Sequence, residues 1–183
     1  IEVYLEDYHV APFHPGLSNF VDCDDLKWDF DDWYSVQTVG INNNLRKSGS
    51  EVYKAWQEQV LKYSSDEMPK YGAIWLTYYP NIMVEWYPNT LVVSTVVPRG
   101  PDACSNIVEF YYPEDIVLFE RDYVEAEKKA YNETAVEDDI ICRKMHEGRR
   151  ALYKQGIEDG GPYQSPTEDG MLHFHEFLRR QLG

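Results

Sequence analysis

Cysteine is scarce in the chain: Cys23, Cys104 and Cys142 are the only ones among 183 residues, and no two stand in a CxxC pair. An odd number of widely spaced thiols excludes a disulfide framework and the small secreted scaffolds built on one. It is expected of a protein kept in a reducing compartment, the cytoplasm. Positive charge is scarce too. Lys and Arg total 17 against 32 Asp and Glu, a formal net charge of -15. Such a surface repels phosphate backbones and anionic lipid, so neither nucleic acid nor membrane is an expected partner. No run approaches the roughly 18 apolar residues of a bilayer-spanning helix. No basic stretch leads into an apolar one, so no secretory signal is visible.

What the chain does contain is 43% hydrophobic and 15% aromatic residues, a composition able to bury a core within one domain over residues 1–183. The stretch at 40–51, GINNNLRKSGSE, reads as a turn or loop. Ser50 is placed to cap a helix from Glu51 to about Tyr63, with Val52, Trp56 and Val60 on one stripe. Residues 72–98 are the most β-like, and Pro-Asn pairs at 80–81 and 88–89 divide them into short strands. WYSVQTVGI at 33–41 and SNIVEFYYP at 105–113 read as further strands, with spacings that suit an antiparallel meander.

After Pro113 the period changes. Ile116, Phe119, Tyr123, Ala126 and Ala130 recur every three or four residues, the pattern of a long helix whose stripe continues through Thr134, Asp138, Ile141 and Met145. Asp138 is thus a carboxylate where an apolar side chain is expected. Residues 156–170 read as a loop, and MLHFHEFLRRQLG closes the chain as a short amphipathic helix. The fold class is α+β, an antiparallel sheet with one long helix against it.

Residues 6–14, EDYHVAPFH, carry the densest chemistry. If 2–11 is helical, Glu6 and His9 share a face. His9 and His14 would diverge on a straight helix, but Pro12 between them breaks it and permits the two imidazoles to converge. A distant carboxylate could complete two histidines into the facial triad of non-haem Fe(II) oxygenases. The structural alternative makes the histidines hydrogen-bonded residues at a helix end and the EDD run at 137–139 a solvated face.

LEDYHVAPFHPGL resembles the mononuclear-iron motif of Rieske non-haem iron ring-hydroxylating oxygenase α subunits: an acidic residue, two spacers, a first His, four spacers, a second His. The family's third ligand is a downstream Asp with a Cys four residues on, and VEDDIICRKMHEG fits with Asp138 and Cys142. Asp139 is the alternative if the register differs by one. The C-terminal YQSPTEDGMLHFHEFL is similar to the tail of choline-monooxygenase-like members. One departure stands out: no cysteine here is followed by histidine at C-x-H or C-x-x-H spacing, so the family's Rieske [2Fe–2S] cluster is not held by this chain and is expected in an N-terminal domain outside it.

The resemblance implies the catalytic domain, a helix-grip fold in which a curved antiparallel sheet surrounds a long helix. It implies Fe(II) held by His9, His14 and Asp138, with Glu6 as the carboxylate bridging His9 to a cluster, usually a neighbouring subunit's. It further implies O2 and a small aromatic or amine molecule as substrates, an electron-donating reductase or ferredoxin, and a homotrimer. Rival readings are a metal-free helix-grip module that binds a ligand without chemistry and, last, a zinc hydrolase. His173 and His175 are expected to be structural or surface residues, and Cys142 buried rather than reactive.

Overall fold

In the computed structural model, which describes residues 1–42, 49–64, 69–157 and 161–183, six strands pair in the order in which they occur. They are β1 (Val21–Phe30), β2 (Tyr34–Ile41), β3 (Ala73–Tyr78), β4 (Ile82–Tyr87), β5 (Thr90–Gly100) and β6 (Ala103–Tyr111), every neighbouring pair antiparallel. The expected Pro-Asn punctuation falls where the chain reverses. Tyr87 pairs with Thr90 across Pro88 and Asn89, and Asn89 takes a positive φ of 56°, which asparagine tolerates better than most residues.

Two elements differ from the sequence expectation. Strand β1, VDCDDLKWDF, is too acidic to read as a strand; it forms the sheet's first edge, where half of its residues are exposed and a register shift lies between Asp22 and Lys27. A solvated edge carries no alternating signal. The long helix is interrupted: α3 (Glu114–Phe119) ends at Glu120 and α4 (Arg121–Lys154) follows. Neither Gly nor Pro marks the break, and Phe119, assigned to the apolar stripe, is exposed.

Helix α2 (Glu51–Tyr63) begins as expected, with Ser50 Oγ accepting the Tyr53 N–H at 3.1 Å. Its buried face is Tyr53, Trp56, Gln57 and Val60, one step round from the expected stripe, and Val52 is only half-buried. Residues 43–48 of the expected loop lie outside the described residues, as do 158–160 of the later one. The closing helix α5 (Asp169–Leu182) packs Met171, Phe174 and Phe177 on Leu5 and Tyr79. Gly170 sits against Trp28, whose ring a Cβ would meet at 2.3 Å, so only glycine lets this helix approach β1.

The main core joins Phe20, Val39, Trp56, Val60, Tyr123 and Ala130, layering α2 and α4 over the sheet. His173 and His175 hold structural hydrogen bonds, to Tyr79 Oη at 2.9 Å and Tyr163 Oη at 2.7 Å, as expected. Cys142 does not follow expectation: it is exposed on α4, although desolvation by its neighbours, with Asp138 and Asp139 nearby, raises its thiol pKa. Among the described residues no helix is long and apolar enough to cross a membrane.

Candidate metal centre and substrate cavity

The opening segment is not one helix. A 3-10 turn (Glu2–Leu5) gives way to extended backbone at Glu6, and α1 (Val10–Phe13) is a single turn capped by His9. Pro12 lies within that first turn, where its missing N–H has no intrahelical acceptor to lose. The reversal at residues 6–9 still brings Glu6 onto His9: Glu6 Oε1 stands 2.5 Å from His9 Nδ1, and Oε2 accepts the His9 backbone N–H at 3.2 Å.

His9, His14 and Asp138 meet. Each offers a ligand atom, and these atoms all lie within 4.8 Å of one another. The ring centroids of the two histidines are 4.8 Å apart in an edge-on arrangement. Asp138 Oδ1 lies 3.0 Å from His14 Nε2 and 3.6 Å from His9 Nε2. Both imidazoles thus turn Nε2 inward and Nδ1 toward a carboxylate, Glu6 for His9 and Glu137 for His14, the latter at 2.7 Å. Asp138 Oδ1 is buried, and no donor meets it with hydrogen-bond geometry although both Nε2 atoms are close. Two nitrogens and an oxygen that face one point rather than one another fit a divalent cation. Asp139 points away, exposed and paired with Arg143 at 2.8 Å.

Electrostatics follow from this crowding. Burial works against a proton on His9, but contacts with Asp138 and Glu6 prevail and raise its pKa to about 9. Burial likewise opposes protonation of His14, and Asp138 and Glu137 outweigh it and move its pKa up. Burial would raise Asp138, but the imidazoles of His14 and His9 bring its pKa below the ordinary value.

The three residues border a cavity of about 690 Å³ of empty space, its solvent mouth included, that runs between α4 and the sheet. Aromatic residues line part of its wall, Trp56, Trp75, Tyr87 and Tyr131 among them. Four further carboxylates line it: Glu6 and Asp7 beside the histidines, and, away from them, Glu85 from β4 and Glu127 from α4, which are 3% and 2% exposed. Tyr87 and Tyr131 donate to the two Glu85 oxygens at 2.7 and 2.9 Å, and Tyr112 donates to Glu127 at 2.6 Å. Burial raises both acids to about 7, against the phenols that act the other way.

Sequence reasoning did not find Glu85, Glu127 or Glu137. For two of them a signal was present. Glu85 alternates with the buried Met83 on β4, and Glu127 lies four residues from Tyr123 and three from Ala130 on the α4 stripe. Each is a charge at an inward position, the logic that singled out Asp138. Glu137 carries no such mark, because its role depends on where His14 lands.

A sheet and long helix around a cavity, with a candidate N,N,O metal site at its edge, define an α+β domain of the helix-grip class. The chain belongs to the family of ring hydroxylating alpha subunits (catalytic domain), whose model matches residues 1–183. It is 66% identical over 182 residues to putrescine 2-hydroxylase from Ralstonia nicotianae, covering 100% of this chain and 50% of that protein. Putrescine 2-hydroxylase from Bordetella bronchiseptica is 57% identical over 183 residues, covering 100% and 43%. Choline monooxygenase of Atriplex hortensis is 27% identical over 186 residues, covering 98% and 36%. The chain therefore spans half or less of the length of these relatives. The solved structure of a quaternary ammonium Rieske monooxygenase shares the fold, with a TM-score of 0.68 at 19% identity over 98% of this chain and 45% of that one.

Proposed function

We propose that this domain hydroxylates a small aliphatic diamine, putrescine or a close analogue, at a mononuclear Fe(II) held by His9, His14 and Asp138. The observation that carries it is the joint presence of an N,N,O donor set and buried carboxylates in one cavity, in a chain 66% identical to a putrescine 2-hydroxylase. Of the substrate classes open from the sequence, an aromatic acid, a neutral arene and a small amine, the cationic amine suits this cavity best. Its buried carboxylates, where ionised, would repel a carboxylate substrate and give a neutral arene no charge partner. A metal-free binding module gives no reason for His9, His14 and Asp138 to converge, and a zinc hydrolase does not accord with the family.

Bound iron would supply the dioxygen chemistry that no side chain provides: R–H, O2, two electrons and two protons give R–OH and water. The chain's own residues supply the rest. Glu137 accepts the Nδ1–H of His14, and Glu6 stands against Nδ1 of His9, so both rings keep Nε2 free as the ligand atom. Glu6, 11% exposed at its side chain, is placed to join His9 to an electron donor. A Rieske [2Fe–2S] cluster elsewhere in the intact protein would supply the electrons, a reductase or ferredoxin would reduce it, and a homotrimer would let one subunit's cluster serve its neighbour. The aromatic walls exclude water around the alkyl chain. Free cysteines at all three positions accord with a cytoplasmic setting.

The test is turnover of the intact gene product with a reductase, putrescine and 18O2, read by mass spectrometry. One labelled oxygen in a hydroxylated diamine is expected. Oxidation of aromatic acids with no product from any amine would overturn the proposal.

A further inference from the structure

Resting on that reading, we infer that Glu85 is the substrate-specificity residue of the cavity: its carboxylate receives one ammonium group of the diamine and sets the alkyl chain toward the His9–His14–Asp138 centre. Four observations converge. The carboxylate is 3% exposed yet lines the cavity. Its two oxygens are oriented by Tyr87 and Tyr131, and Tyr87 is held in turn by the Trp75 indole N–H at 3.0 Å. Tyr131 gives its proton to Glu85, so Ser94 at 3.0 Å and Tyr4 at 3.3 Å donate to the Tyr131 oxygen. All these partners are neutral, and among the described residues no ion pair to Glu85 forms.

A buried carboxylate with only phenol donors retains lone pairs and charge for a cation. Trp75, Tyr87 and Tyr131 add ring faces that favour ammonium over a neutral group. Distance along α4 separates the two acids. Glu127, Tyr131 and Asp138 share one face, with Glu127 about 16 Å and Tyr131 about 10 Å from Asp138 along the helix axis. The far ammonium of a diamine whose reacting carbon lies by the metal centre comes nearer to Tyr131, to which Glu85 is hydrogen-bonded, than to Glu127, a full helical turn further on. Glu127 therefore adds negative potential without touching the substrate.

The experiment uses the iron-loaded intact protein under anaerobic conditions, with 1,4-diaminobutane and its neutral isostere 1,4-butanediol as probes in titration calorimetry. Wild type is expected to bind the diamine at least about 100-fold more tightly than the diol. Glu85→Gln keeps the side-chain shape and should shrink that gap to about fivefold, with iron content unchanged and a cooperative unfolding transition retained. A Glu85→Gln protein that retains the wild-type gap overturns the inference. So does wild type binding the diol as tightly as the diamine, a result independent of whether the variant folds. Labelled-oxygen turnover of wild type separates the two levels. Hydroxylated putrescine with an undiminished gap in Glu85→Gln removes the role of Glu85 alone, whereas no amine product removes the reading beneath it.

Discussion

The two ends of the cavity handle charge in opposite ways. At one end Asp138, Glu6 and Glu137 surround two imidazoles; at the other Glu85 and Glu127 take their hydrogen bonds from phenols. Asp138 and Glu85 are both carboxylates on one cavity, yet the pKa of the first is lowered and that of the second rises to about 7. Partners, not burial alone, decide the sign. On the proposed reading, the histidine end would hold a resident cation and the phenol end would receive a cationic guest.

The largest effect is expected from dismantling the first end. Asp138→Ala or His9→Ala in the intact protein should lower product formation by at least about a thousandfold. Retention of a tenth of the wild-type rate would remove that residue from the metal set. Glu6→Gln and Glu137→Gln then divide the two imidazole partners. Glu137→Gln should weaken iron binding by about 10–100-fold, the usual loss for a partner of a metal-bound histidine. Glu6→Gln should hold its iron but lose most product per O2 consumed. Iron titration and the product-to-oxygen ratio check both, and identical behaviour in the two variants would erase the division.

The other end is sharpened by pH. The folded-state pKa values of Glu85 and Glu127 lie near 7, above the ordinary 4.5. Their contribution to stability is therefore fully present below the unfolded value and is lost as pH rises through about 7. Glu85→Gln should gain melting temperature relative to wild type at pH 8 and not at pH 5. Diamine affinity of wild type should increase from pH 6 to pH 8 as the carboxylates ionise, and the variant should show a flatter profile. The smallest effect belongs to Asp139→Asn. It breaks an exposed Asp139–Arg143 pair, so a change within about 0.5 kcal/mol in denaturant unfolding and unaltered iron content are expected.

The convergence of His9, His14 and Asp138 was legible because residues 6–14 resemble a family motif and because Asp138 interrupts an apolar helical stripe. Even so, the helix expected over 2–11 did not form, and Glu6 meets His9 through a turn instead. Spacing constrained the contact without fixing the backbone that makes it. The sheet was legible where Pro-Asn pairs end strands and illegible at β1, whose acidic edge gives no alternation. Glu137 belongs to a third class. Its contact with His14 spans 123 positions of sequence and exists only once α4 lies across α1. Phe119 taught the converse, because an apolar residue in register with a stripe is left outside when the helix breaks at Glu120.

The claim on which everything else depends is that two imidazoles and one aspartate share a single cation. Anaerobic titration of the intact protein with Co(II), followed by its visible absorption, tests it directly. Wild type should bind one equivalent at this centre with a nitrogen–oxygen ligand spectrum, and His14→Ala and Asp138→Ala should each lose that spectrum. An unchanged spectrum and stoichiometry in both variants would contradict the account.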